Sequence, residues 1–290
     1  MRSQKVHMLV GLFGLVVCGQ IVASRFEPTN NKPAAIKILC FVLSTNTTAS
    51  NKKTLAIEKT WGNRCDKLLL IKNGTKTEEV YNKLIVAVDH DGRDQLWHKI
   101  SKACEFIYEK YLNQYDWFFR ADDDTYLLVD ALRKFLTTKS SPGEPIHFGH
   151  RFKPFVRSGF MSGGSGIVLS REALLRMIEL GFRRELSACE LKRGQVDDVI
   201  MSKCLEAVGV KAGDTRDPHG KETFLPLSPM TLLNDKLDRN HWYLTYAYYE
   251  ESDRVTGNKE CCSRTPIAFH YIKPREMYLI DWLLNDVKRA

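Results

Sequence analysis

The chain has 290 residues, 43% of them hydrophobic and 27% charged, with a formal net charge of +8 at pH 7. That balance fits a globular protein with room for one large α/β domain or two small ones, and it excludes a disordered, low-complexity or repeat chain. The basic residues are scattered, which speaks against a nucleic-acid surface and suits an anionic membrane or a phosphorylated substrate better.

Arg2 and Lys5 precede an apolar run at residues 6–23, VHMLVGLFGLVVCGQIVA, and Arg25 follows it. The run is at the lower limit of about 18 residues for a helix that spans a bilayer. Two readings stay open. A signal peptide would be cleaved at the small residues Ala23 or Ser24. A retained signal anchor would keep its basic end in the cytoplasm. The length of the run favours the anchor, which divides the chain into a cytoplasmic tail (1–5), a membrane segment (6–23), a short stem (24–35) and a lumenal domain (36–290). Either reading sends the domain into the secretory pathway. Asn46-Thr47-Thr48 and Asn73-Gly74-Thr75 are N-glycosylation acceptors consistent with that route. In an oxidising lumen most cysteines pair, and proximity in sequence suggests Cys40 with Cys65 and Cys189 with Cys204. Beyond Cys18 the count is odd, so at least one thiol is free or pairs with another chain.

Residues 26–35, with two prolines, read as a linker. IKILCFVLS (36–44), KLLLIK (67–72) and KLIVAV (83–88) predict buried strands, and TLAIEKTW a helix between the first two. Residues 94–112 place Leu96, Ile100, Ala103, Ile107 and Tyr111 on one helical face. WFFRA is a strand, DALRKFLT a helix, IHFGHRF and SGIVLS strands, REALLRMIELGF and residues 196–210 helices. Strand and helix alternate, so the fold class is α/β. Residues 211–275 show little periodicity and read as binding loops.

At the end of the WFFRA strand stand Asp122, Asp123 and Asp124, with only Arg120 nearby to neutralise them. A solvated turn or a helix cap would use such residues too. A rigid apolar strand, however, would hold the carboxylates at the edge where α/β sheets bind ligands, and carboxylate oxygens are ligands for hard divalent cations.

WFFRADDDTYLLVDALRKFL, FGHRFKP, MSGGSGIVLSREAL, AGDTRDPHGKETF and CCS…AFHYI together resemble the core 1 β1,3-galactosyltransferases of the wider β1,3-glycosyltransferase family, over roughly residues 36–275. The resemblance implies a GT-A fold, a Rossmann-like mixed sheet flanked by helices behind the N-terminal signal anchor. It also implies a single-pass type II Golgi membrane protein that works with UDP-galactose and Mn2+ and is often a homodimer. Asp122 and Asp124 match the family's metal ligands, and His270 its C-terminal metal-binding histidine. Asp123 matches the contact to the nucleotide sugar, with Trp61, Arg120, Gly163 and Gly164 around it. Asp198 matches the base that takes the acceptor hydroxyl proton, with Asp197 orienting substrate or loop. Trp242 and Tyr243 lie where the family recognises acceptor. Each has a plainer alternative: a core imidazole for His270, helix-terminal carboxylates for Asp197 and Asp198, core aromatics for Trp61, Trp242 and Tyr243.

The implied reaction moves galactose to the 3-hydroxyl of GalNAc on Ser or Thr by a single inverting displacement. Arg120 stands where relatives carry Lys, and Leu225 where they carry His. These departures and the short stem keep open an alternative acceptor, such as a terminal glycolipid sugar. A non-catalytic chaperone-like relative would lack the acidic motif, and a lectin-like module would bind sugar without releasing UDP.

Overall fold

The computed structural model describes residues 36–190, 196–249 and 256–287. β1 (Ile38–Leu43), buried along its whole length, leads to α1 (Thr48–Lys59), which starts where the Thr47 hydroxyl accepts the Ser50 N–H. β2 (Lys67–Gly74), β3 (Glu78–Val80) and β4 (Lys83–Ala87) follow, then α2 (Leu96–Tyr111) and β5 (Trp117–Asp122). β6 (Tyr126–Leu127), α3 (Val129–Lys139) and β7 (Ile146–Gly149) come next, then a hairpin of β8 (Arg151–Phe152) and β9 (Phe160–Met161), β10 (Ile167–Ser170) and α4 (Arg171–Arg176). The remainder holds α5 (Asp197–Ala207), β11 (Lys211–Ala212), β12 (Phe224–Leu225), α6 (Pro229–Asn234), α7 (Trp242–Thr245), β13 (Ala268–Phe269) and α8 (Pro274–Asp281).

Eight strands form one sheet in the order β11-β7-β10-β5-β1-β2-β4-β3. β1 runs parallel to β2 and β5, while β10 is antiparallel to β5 and β7, so the sheet is mixed. Alternation along β1 explains its double burial. Leu39, Phe41 and Leu43 face α2, α4 and α5, and Ile38, Cys40 and Val42 face α1, α3 and α8. Both faces are therefore covered.

Three expectations change in detail. The 171–182 segment keeps α-helical bonding only to Arg176 and continues as a wider turn over Met177–Phe182, where Gly181 abuts the sulfurs of Cys189 and Cys204. The irregular stretch after residue 211 carries a second sheet, β12-β13-β6, and a third apolar cluster around Phe152, Leu227, Leu232 and Tyr243. A helix not foreseen, α8, closes the fold. Cys40 is joined to Cys65, Cys189 to Cys204 and Cys261 to Cys262; Cys104 is free and buried. Asn46 and Asn73 sit side by side, the Asn46 amide donating to the Asn73 Oδ1 at 2.7 Å. Among the described residues no helix is long and apolar enough to cross a membrane; the run at 6–23 lies outside them.

Candidate active site

Register sets the site. Leu43 on β1 pairs with Asp122 on β5, so the two central strands end together and the acidic triplet emerges at a shared edge. The loop that follows is fixed from below. The Asp122 N–H donates to the Thr125 hydroxyl at 3.1 Å, which donates to the Gly164 carbonyl at 2.8 Å. The Trp61 indole N–H donates to the Thr125 carbonyl at 3.0 Å.

The distant C-terminal segment reaches this loop through the small sheet. Phe269 pairs with Tyr126 and Ala268 with Leu127, and the Ile272 N–H donates to the Asp124 carbonyl at 2.9 Å. His270 is thereby placed over the triplet. Its Nε2 stands 3.1 Å from Asp124 Oδ1 and 3.9 Å from Asp122 Oδ2. One ligand atom from each of Asp122, Asp124 and His270 lies within 4.8 Å of the others. Two carboxylates and an imidazole at that spacing suit a cation of the Mn2+ or Mg2+ kind, so the donor set fits the metal the sequence implies.

A positive partner the sequence left unnamed, Lys53, joins Arg120 at the triplet. Lys53 reaches Asp123 at 2.8 Å and Asp124 at 3.3 Å, and Ser50 donates to Asp123 at 2.6 Å. Burial pushes the Asp124 carboxyl up, but the His270 hydrogen bond and charge, with Lys53, hold it below the ordinary aspartate value. Buried Arg120 uses one nitrogen, Nη2, for both Asp122 at 3.0 Å and Asp197 at 2.6 Å. It thus links the triplet to the acidic pair at the start of α5.

Asp198 accepts the Gly163 N–H at 3.2 Å and the Val199 N–H at 2.8 Å. Removal from water, and then the charge of Asp197, push its carboxyl up to about 7. Asp197 is also raised, by burial against the pull of Arg120.

The two glycines have a steric reason. A Cβ at Gly163 would overlap the Arg120 guanidinium, and one at Gly164 would overlap the His270 ring. They admit protein side chains to the site. Trp61 is 0% exposed and supports the acidic loop from within, as the core alternative has it. Arg120, 2% exposed, also acts beneath the surface. Tyr243 is 3% exposed and packs beside His150, so its ring is closed to an acceptor, whereas Trp242 beside Phe152 is 38% exposed.

A cleft of about 470 Å3 opens over the triplet, lined also by Thr45, His90, Asp91, Arg93, Lys99 and Tyr271. Sequence reasoning missed these. Lys99 carried a signal: it lies one turn before Ala103 on the core stripe of α2, where a charge needs partners. It finds the Ser44 carbonyl at 2.7 Å and Asp91 at 2.8 Å. Tyr271, at φ 57°, stacks on His270 with ring centres 3.8 Å apart. A left-handed tyrosine is strained, and such strain gathers at functional sites.

A family model described as Fringe-like matches residues 39–273. Glycoprotein-N-acetylgalactosamine 3-beta-galactosyltransferase 1 of Xenopus laevis is 36% identical over 255 residues, covering 87% of this chain and 67% of the relative. A beta-1,3-glucosyltransferase of Mus musculus is 28% identical over 172 residues, covering 52% of this chain and 32% of the relative. Chondroitin sulfate synthase 3 of Homo sapiens is 34% identical over 84 residues, covering 26% of this chain and 9% of the relative. The chain spans less than a third of these last two. With a match across nearly the whole described domain and a cation-ready acidic edge, the chain belongs to the Fringe-like family of glycosyltransferases, alongside the core 1 β1,3-galactosyltransferases.

Proposed function

We propose that the chain transfers galactose from UDP-galactose to the 3-hydroxyl of GalNAc linked to Ser or Thr, completing a core 1 O-glycan. One observation carries the proposal: a single Arg120 nitrogen joins the Asp122 end of a cation site to the Asp197–Asp198 pair. Donor-side and acceptor-side chemistry are thereby held in one rigid frame. The name of the Xenopus relative supports the same donor sugar and acceptor.

In this reading Asp122, Asp124 and His270 hold Mn2+, which when bound neutralises the diphosphate and the charge growing on the UDP leaving group. Asp123, steadied by Ser50 and Lys53, faces the cleft to receive the nucleotide sugar. Asp198 accepts the proton of the attacking 3-hydroxyl while the bond from that oxygen to galactose C1 forms. The bond from C1 to the phosphate oxygen breaks with its electron pair leaving on UDP, and the anomeric centre inverts. A carboxyl raised to about 7 is near the working pH, where a general base is most effective. Trp242 offers an exposed face on which a pyranose ring of the acceptor can stack.

The short stretch 24–35 between the apolar run and the domain favours a second acceptor class, a terminal sugar on a glycolipid. Anchoring through 6–23, a Golgi location and a homodimer belong to the same proposal. The test is release of UDP and product formation with UDP-galactose and a panel of acceptors, with and without EDTA. A GalNAc-peptide product abolished by EDTA supports the first reading. Preference for a glycolipid moves the acceptor to the second, and sugar binding without UDP release contradicts both.

A further inference from the structure

The last helix carries an apolar stripe on its outer side. α8 and the turn that continues it to Asp286 bury Met277 against the core. Tyr278, Leu279, Trp282 and Leu283 point the other way, with Leu279 54% and Trp282 55% exposed. Positions 278, 279, 282 and 283 recur at helical spacing, so these side chains form one contiguous outward face. Large exposed apolar patches mark interaction surfaces.

The polar groups around the stripe are sorted by sign. Glu276 turns back to accept the Lys273 N–H at 2.7 Å, and Asp281 accepts from Arg64 at 2.6 Å and Tyr126 at 3.0 Å. Two of the three acids in this segment are therefore engaged within the protein, leaving Asp286. Lys273 and Arg275 at the helix start are exposed, and Lys288 and Arg289 follow in sequence. An apolar face bearing Trp and Tyr with exposed basic residues at its start is the pattern of a helix lying in an anionic bilayer interface.

The helix runs along one side of the sheet, starting just after Ile272, whose N–H donates to the Asp124 carbonyl. Arg64, bonded to Asp281, stands two residues before Asp66, which accepts the N–H of Ile38 at 2.8 Å. The far end of the stripe thus lies at the end of the sheet where the chain enters β1, opposite the acidic edge. We infer that the outer face of α8 docks on an anionic lipid surface through Tyr278, Leu279, Trp282 and Leu283. The inference stands apart from the glycosyl-transfer reading, because its deciding readout, quenching by lipid, needs no substrate.

The test uses the full chain reconstituted into phosphatidylcholine–phosphatidylserine vesicles whose acyl chains are brominated. Of the five tryptophans, Trp61, Trp97 and Trp117 are buried, so quenching by lipid reports on Trp282 and Trp242. The expected result is quenching that is mostly lost in Trp282→Phe, retained in Trp242→Phe, and weakened when phosphatidylserine is omitted. Leu279→Glu with Leu283→Glu should lose the same quenching while keeping parental circular dichroism and parental activity in detergent. Quenching unchanged in Trp282→Phe overturns the inference, as does a chain that stays off the vesicles. So does sedimentation in detergent showing a parental dimer that the double Glu variant dissolves, since a second copy would then cover the stripe.

Discussion

Arg120→Met removes the counter-charge that the acidic pair depends on. Asp197 has a side chain 13% exposed and receives its 2.6 Å ion pair from Arg120 Nη2; Asp122, at 3.0 Å, is more open to water and loses less. Breaking a buried ion pair from one side costs about 3–5 kcal/mol, because the partner is left charged and dry. For a domain of this size that corresponds to a melting temperature lower by about 6–20 °C. The sign with pH is fixed by Asp197. Its carboxyl is already raised by burial, and without Arg120 it rises further. A folded-state value above the unfolded one makes the penalty grow as pH rises through that interval and fade below it. Thermal unfolding followed by circular dichroism should therefore separate variant from parent more at about pH 8 than at about pH 5. Arg120→Lys keeps the charge and should recover most of the loss. A destabilisation of Arg120→Met below about 1 kcal/mol at both pH values, the range of exposed pairs, would refute the reasoning.

Asp198→Asn should lower turnover by about 10²–10⁴-fold, and the rise of parental activity with pH through about 7 should vanish with it. An unchanged profile removes Asp198 as base. Gly164→Ala should push the His270 ring out of place, weakening activation by Mn2+ in a metal titration by about tenfold or more while the melting temperature changes little. Replacing both Cys40 and Cys65 opens a loop with a sequence separation of 25 residues; its closure contributes about 3–4 kcal/mol, measurable in urea unfolding. A loss near zero would mean that the crosslink adds no stability.

What the sequence made legible was local and periodic. The apolar runs of β1 and β5 and the charge step at Asp122 needed only alternation and the cost of stranding carboxylates. The placement of His270 against them depended on strand pairing between segments some 140 residues apart, which no local pattern encodes; family resemblance alone pointed to it. Lys53 became a partner of the triplet for the same long-range reason, whereas Arg120, two residues before Asp122, was legible beside it. Trp61 and Tyr243 kept two readings open because an aromatic residue has the same local signature in a core as in a binding face. α8 escaped notice because Tyr278, Leu279, Trp282 and Leu283 put apolar residues on its outer side as well as its inner one, blurring the helical period.

The central claim is that the carboxylates of Asp122 and Asp124 and the His270 imidazole together hold the cation that carries the sugar diphosphate. Electron paramagnetic resonance titration of Mn2+ into the purified chain with UDP present tests it most directly. The account predicts one bound Mn2+ in the parent and markedly weaker binding in both Asp124→Ala and His270→Ala, with circular dichroism unchanged. Parental affinity in both variants would contradict it.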